Sequence, residues 1–167
     1  GTLIIYGNGT MKDFNETNPA PWNVQTISRV KIEGIKNIGS YSFTSLPLVT
    51  RIVIPDSVEK IHENAFATNI MIEEMIIGKG IKEIGNNPFF QCIDLKNITV
   101  NESNVNFKND GNGMVETIDG KKLVVYPPGK KNTEYVIQHE TIGSYSFNGN
   151  SYIENITIGS NVKTIES

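Results

Sequence analysis

The sequence predicts a single α/β repeat solenoid, with short parallel strands on one face and irregular or short helical turns on the other. Three observations predict it. Phe43, Phe66 and Phe89 recur at one constant spacing, a period of 23, and the hexapeptide IGSYSF occurs twice, at residues 38–43 and 142–147. An apolar, any, apolar triplet precedes each repeat's Phe, as at Val30/Ile32, Ile52/Ile54 and Met75/Ile77. No apolar pattern at i, i+3, i+4, i+7 competes with this two-residue alternation.

The repeat follows the chain in order. Residues 30–50, 51–73 and 74–96 align as VKIEGIKNIGSYSFTSLPLVT, RIVIPDSVEKIHENAFATNIMIE and EMIIGKGIKEIGNNPFFQCIDLK. Ile98-Thr99-Val100 opens a fourth unit without the Phe signature, Tyr135-Val136-Ile137 leads into the second IGSYSF, and Ile156-Thr157-Ile158 starts a unit cut short at Ser167. One such unit cannot bury its apolar face alone, so coils stack and triplet residues one and three line up as inward ladders. One continuous ladder is expected through Val30, Ile52, Met75, Ile98, Tyr135 and Ile156, and another through Ile32, Ile54, Ile77, Val100, Ile137 and Ile158. The four phenylalanines, Phe147 included, fill the opposite wall, and Gly39 and Gly143 let the chain turn.

The interval from Phe89 to Phe147 exceeds two periods by roughly half a period. The run MVETIDGKKLVVY accounts for the excess, because Asp119-Gly120 joins two β-rich stretches as a hairpin turn does. The expected organisation is one domain over 1–167: an N-terminal cap at 1–28, repeats over 29–167, a hairpin insertion around 104–133 and a truncated last repeat. Leu3, Ile5, Met11, Phe14 and Trp22 are the expected cover of the first coil.

Composition bounds the function. A net charge of -3 and pI near 5.4 disfavour nucleic acid and anionic membranes as partners. The lone Cys92 excludes internal disulfides and cysteine-based zinc sites, and no run of about 18 apolar residues reads as a membrane span. His62 and His139 lie far apart in the chain at different repeat positions and read as isolated surface groups. Adjacent Glu73 and Glu74 point to opposite faces of a strand and cannot share acid–base work. The sequence therefore predicts no enzyme, no cofactor and no metal. Five N-glycosylation sequons, at Asn8, Asn15, Asn97, Asn101 and Asn155, sit in an asparagine-rich chain and barely exceed chance. Lys121-Lys122 and Lys130-Lys131 place local positive charge on the hairpin, which could meet an acidic surface or keep a strand edge soluble.

The expected binding surface is the outward face of the strands, since repeat proteins bind macromolecules on broad regular faces. Its candidates are Arg29, Lys31, Arg51, Val53, Glu74, Ile76, Thr99, Val136 and Thr157, with Val53 beside Ile76 as a small apolar patch. β-branched residues also simply suit strands.

Ile52–Phe66, IVIPDSVEKIHENAF, resembles the BspA-like, or Treponema-pallidum-type, leucine-rich repeat. Ile38-Gly39, Ile84-Gly85 and Ile142-Gly143 match its Ile-Gly turn, Ala65-Phe66 its Ala-Phe pair, and Cys92 its Cys. The N-terminal GTLIIYGNGTMKDFNETNPAPW and the Tyr126-Pro127-Pro128-Gly129-Lys130 insertion are also similar to that family. His62 departs from the usual Gly, and Pro88, Ser42 and Ser146 from the usual Ala. The resemblance implies a leucine-rich-repeat solenoid, secreted or on the cell surface, that mediates adhesion or binding to host proteins such as extracellular matrix components. A structural spacer within a larger surface protein is the alternative.

Overall fold

The computed structural model describes residues 1–23 and 26–167. Its first eight strands are β1 (Thr2–Tyr6), β2 (Arg29–Glu33), β3 (Asn37–Ile38), β4 (Arg51–Ile54), β5 (Lys60–Ile61), β6 (Glu74–Ile77), β7 (Glu83–Ile84) and β8 (Asn97–Val100). The remaining seven are β9 (Phe107–Asn109), β10 (Val115–Thr117), β11 (Lys122–Val125), β12 (Glu134–Ile137), β13 (Thr141–Ile142), β14 (Asn155–Ile158) and β15 (Thr164–Ile165).

The triplets form parallel strands in the register their period dictates. Ile52 pairs with Met75 and Met75 with Ile98, while Ile54, Ile77 and Val100 pair likewise two residues on. Because side chains alternate across a strand, these residues turn inward and are buried, and Val53, Ile76 and Thr99 between them turn outward. β1 pairs with β2 residue for residue, Ile4 with Lys31, as a two-stranded sheet next to but separate from β4–β6–β8.

The α/β class is corrected by the structure. Among the described residues there is no helix; the protein is an all-β solenoid. Where helical turns were expected, a second ladder of two-residue strands forms instead, β3, β5 and β7 pairing in parallel through Asn37, Lys60 and Glu83 and through Ile38, Ile61 and Ile84. The physical reason lies in the residues either side of each Phe. Tyr41, Asn64, Asn87 and Tyr145, each two before it, have φ of 51–56°, and Ser45, Thr68 and Gln91, each two after it, have φ of 56–60°. Left-handed residues four apart stop any right-handed helix before one turn is complete.

The phenylalanines stack as a column through the wall opposite the first ladder. Phe43 and Phe66 lie 5.4 Å apart at 8°, Phe66 and Phe89 6.0 Å apart, and Trp22 continues the column 6.5 Å from Phe43. The fourth coil has a counterpart that the period concealed. Tyr126 N–H donates to Ser146 O at 2.7 Å, as Phe43 does to Ala65 O and Phe66 to Pro88 O, and the Tyr126 ring stacks on Phe147 at 5.1 Å. The glycines of IGSYSF also have a different cause from the expected one. An added Cβ would lie 2.3 Å from Lys12 O at Gly39 and 2.6 Å from Leu123 O at Gly143, so the hydrogen is required by the approach of the neighbouring coil.

The insertion divides the solenoid. Asp119-Gly120 turns the chain between antiparallel β10 and β11, β9 adds to β10, and β11 pairs in parallel with β13, which pairs with β15. The single continuous ladder expected from Val30 to Ile158 is broken in two places: β12 pairs with β14, not with β8, and β2 pairs with β1, not with β4. The Asn109 side chain closes the β8 edge, its amide donating to Ile98 O and its carbonyl accepting from Val100 N–H, at 2.7 and 2.8 Å. Two hydrophobic clusters result, a large one through the first coils and a smaller one around Met114, Leu123 and Tyr126.

Candidate functional site

The outward face of the first ladder presents the candidate residues as follows. Arg51, Glu74 and Asn97 are register partners on β4, β6 and β8, and Val53, Ile76 and Thr99 form the adjacent outward column. Val53 is 43% exposed and Ile76 half-buried beside it. Arg29 and Lys31 lie on β2, whose outward column extends to Ile4 and Tyr6 of β1, 54% and 80% exposed. Sequence reasoning passed over these two because it treated the segment as cover; their alternation with buried-side Leu3 and Ile5 was the available signal. Val136 and Thr157 pair with each other on the separate β12–β14 sheet, and Arg29 and Lys31 lie on the separate β1–β2 sheet, so only Arg51, Val53, Glu74, Ile76 and Thr99 share one sheet.

The charges on this face are largely matched. Arg51 Nε reaches Glu74 Oε2 at 2.6 Å, and Lys31 reaches Glu33 at 2.6 Å. What remains without a partner of its own chemistry is the apolar column, which is the part of the face a protein partner would desolvate most readily.

The histidines are not the isolated surface groups expected. His139 is buried, and its Nε2 lies 2.8 Å from Oε2 of buried Glu116, whose other oxygen is 3.4 Å from Lys108. His62 is half-buried, with Nδ1 2.9 Å from Asp13 Oδ1. The Ser40 amide, first, holds the Asp13 carboxyl below its ordinary value against the opposing effect of burial, and His62 beside it adds to the lowering. Glu116 and His139 stand one period apart, so the repeat itself was the signal that places them on adjacent coils. They tie β10 of the insertion to the segment after β12, beside a hollow of about 300 Å³ that Tyr135 also lines.

Three of the four insertion lysines engage the protein itself. Lys122 bonds Glu166 at 2.6 Å, Lys130 donates to Asn112 O, and Lys131 lies 5.6 Å above the Tyr152 ring. Cys92 is fully buried, donates to Phe66 O at 3.1 Å, and burial pushes its thiol up to about 12, which leaves it unreactive. Among the described residues, no group of three His, Cys, Asp or Glu could hold a metal ion, and no helix is long and apolar enough to cross a membrane. All five sequon asparagines are exposed.

The comparisons with known proteins agree with this geometry. No curated protein matches the sequence. Among solved structures, a leucine-rich repeat protein from Eubacterium ventriosum is 22% identical with a TM-score of 0.62, covering 99% of this chain and 57% of its own. The pneumococcal vaccine antigen PcpA is 19% identical with a TM-score of 0.68, covering 98% of this chain and 46% of its own. A leucine-rich cell surface protein from Faecalibacterium prausnitzii is 20% identical with a TM-score of 0.52, covering 86% and 46%. These likenesses show the shared fold, and the chain spans about half the length of each structure. Six copies of the BspA type leucine rich repeat match over residues 22–111 and 131–167, most of the sequence, and the chain belongs to that family.

Proposed function

We propose that this chain is a non-catalytic binding module, secreted or displayed on a cell surface, that recognises proteins through the outward face of its first ladder. The observation that carries the reading is the outward apolar pair of exposed Val53 and half-buried Ile76, register partners on the regular parallel β4–β6–β8 sheet, beside which Arg51 and Glu74 are already paired. A partner covering it buries apolar area without stripping water from lone charges, and such area is worth about 25 cal/mol per Å². Two similar structures, described as a cell surface protein and a vaccine antigen, support an extracellular setting. Extracellular matrix proteins of a host are the partners the family suggests.

The test is binding of the chain to immobilised fibronectin and fibrinogen, compared with a Val53→Asp, Ile76→Asp variant. Both side chains turn away from the core, so the variant keeps its melting temperature within a few degrees while binding falls at least tenfold, about 1.4 kcal/mol. Equal binding by the variant, or no retention of the native chain by either protein, overturns the reading. A spacer without a ligand is the second reading. It is favoured by the coil-to-coil ion pairs, such as Lys60–Glu83 at 2.7 Å and Lys163–Glu140 at 2.7 Å, which commit exposed charge to the solenoid itself.

A further inference from the structure

The turn side of the solenoid, away from the first ladder, carries a groove of about 490 Å³ across three successive coils. That is within the range of small-ligand sites, a few hundred to about 1,000 Å³. One wall is the N-terminal segment, with Asn15, Glu16, Pro19 and Asn23. The floor is built from rows at the repeat period. Tyr41, Asn64 and Asn87 form one, Ser45, Thr68 and Gln91 another, and Phe90 lies between them in the third coil.

The chemistry of this lining is narrow. Among the described residues no lysine or arginine lines it, and Glu16 is the single charged side chain there, so an anionic ligand meets no counter-charge. The other polar groups are amides and hydroxyls, which both donate and accept. In the first two coils they fix one another: Asn64 donates its amide to the Tyr41 hydroxyl at 3.0 Å, and the Ser45 and Thr68 hydroxyls are 2.8 Å apart. Their counterparts in the third coil, Asn87 and Gln91, have no such side-chain partner among the described residues and line the groove together with half-buried Phe90. A ring face carries partial negative charge and attracts the weakly positive C–H face of a pyranose, while free amides in the same lining match the sugar's hydroxyls.

A second observation points the same way. Of the seven non-glycine residues with positive φ among the described residues, six line this groove: Tyr41, Ser45, Asn64, Thr68, Asn87 and Gln91. At the equivalent of Ser45, Thr68 and Gln91 in the coil of the second IGSYSF, outside the groove, stands Gly149 with φ 83°. Glycine is the relaxed residue for that backbone, so Ser45, Thr68 and Gln91 keep side chains against local preference where they line the groove, while Tyr145, at the equivalent of Tyr41, does so outside it. Backbone strain of this kind collects at binding sites.

We propose that this groove binds an uncharged oligosaccharide, with Phe90 as the stacking platform and the Asn87 and Gln91 amides reading hydroxyl groups. The site is independent of the protein-binding face proposed above.

The test is titration calorimetry and saturation-transfer NMR of the full chain with cellohexaose, mannohexaose, chitohexaose and lacto-N-neotetraose, and with heparin hexasaccharide and sialyllactose as anionic probes. At least one uncharged probe binds below about 1 mM and more tightly than either anionic one. Asn87→Gly and Gln91→Gly each remove a reading amide while suiting the left-handed backbone, so each weakens that binding at least fivefold with no fall in melting temperature. The Val53→Asp, Ile76→Asp variant binds the sugar as the native chain does, which separates this site from the protein-binding face. No uncharged probe bound below about 1 mM, preference for an anionic probe, or unchanged sugar binding in both glycine variants overturns the proposal.

Discussion

Asn69 shows how much of this fold rests on single polar side chains in its core. It is fully buried, its amide donates to Phe43 O and Phe66 O at 2.6 Å each, and its carbonyl accepts from Leu46 N–H at 2.8 Å. It therefore satisfies three backbone groups that the tight turns around successive phenylalanines leave without partners, groups that cannot remain bare in an apolar interior. Cys92 occupies the same repeat position one coil later and serves one of them, Phe66 O. Asn69→Leu keeps the volume and orphans Phe43 O and the Leu46 N–H, leaving Phe66 O to the Cys92 thiol alone; each buried orphan costs about 1–3 kcal/mol, so urea denaturation should show a loss of at least about 2 kcal/mol. Cys92→Val, which removes one weak donor, should cost about 1 kcal/mol by the same measurement. Equal losses in the two variants would show that packing, not backbone satisfaction, is what this position supplies.

At the scale of strands and turns, charge runs coil to coil at the same period as the hydrophobic column. Glu59 lies between Lys36 and Lys82, at 3.4 and 2.7 Å, on the coils before and after it. The Lys82 hydrogen bond, first, and the Lys36 bond hold its carboxyl below the ordinary value near 4.5. A carboxyl whose folded pKa is depressed stabilises the fold above its unfolded pKa and loses that contribution as pH falls through the lower folded one. Melting temperature followed from pH 7 to pH 3 should thus decline more steeply below pH 4.5 for the native chain than for Glu59→Gln, and the two curves should converge at the acid end. Parallel curves would mean that the bridge contributes nothing. Such pairs were latent in the sequence, as was the strand register, because a constant period fixes both which residues face inward and which meet across coils. The turns were less legible. Tyr41, Ser45, Thr68 and Gln91 are not residues that announce a left-handed backbone, so helical turns stood as the expectation until φ excluded them. The outward face was legible as far as alternation reaches, from Arg29 to Thr157; the break within it was not, because no local pattern says that β12 pairs only with β14. The groove of the turn side was hidden for a third reason: its wall and floor are distant in sequence and meet only when the N-terminal segment folds across three coils.

For the whole molecule, the insertion sets how the solenoid comes apart. In a repeat protein, stability is a sum of coil terms and nearest-neighbour interfaces, so a weak interface divides it into parts. The coils before the insertion share one continuous cluster with fully buried Phe43, Ile54, Phe66 and Ile77 among its members. The coils after it rest on Met114, Leu123 and Tyr126, and their β14 is exposed along its whole length, Ile156 and Ile158 by 42% and 50%. Backbone pairing between the two parts is interrupted in both ladders, since β8 does not meet β12 and β7 does not meet β11. What joins them is the insertion, through β10, the buried Glu116–His139 contact, and the Gly129 amide that donates to Leu95 O at 2.9 Å. Local opening follows buried apolar contact, so amide exchange should divide along this line. Amides of β4, β6 and β8 should be the most protected, those of β12 next, and those of β14 and β15 should exchange first. Glu116→Gln with His139→Gln, which removes the buried side-chain contact that ties β10 to the later coils, should speed exchange in β12–β15 and leave β4 and β6 unchanged. Exchange that slows or quickens uniformly from β2 to β15 in that variant would show a single cooperative unit and overturn the two-part reading.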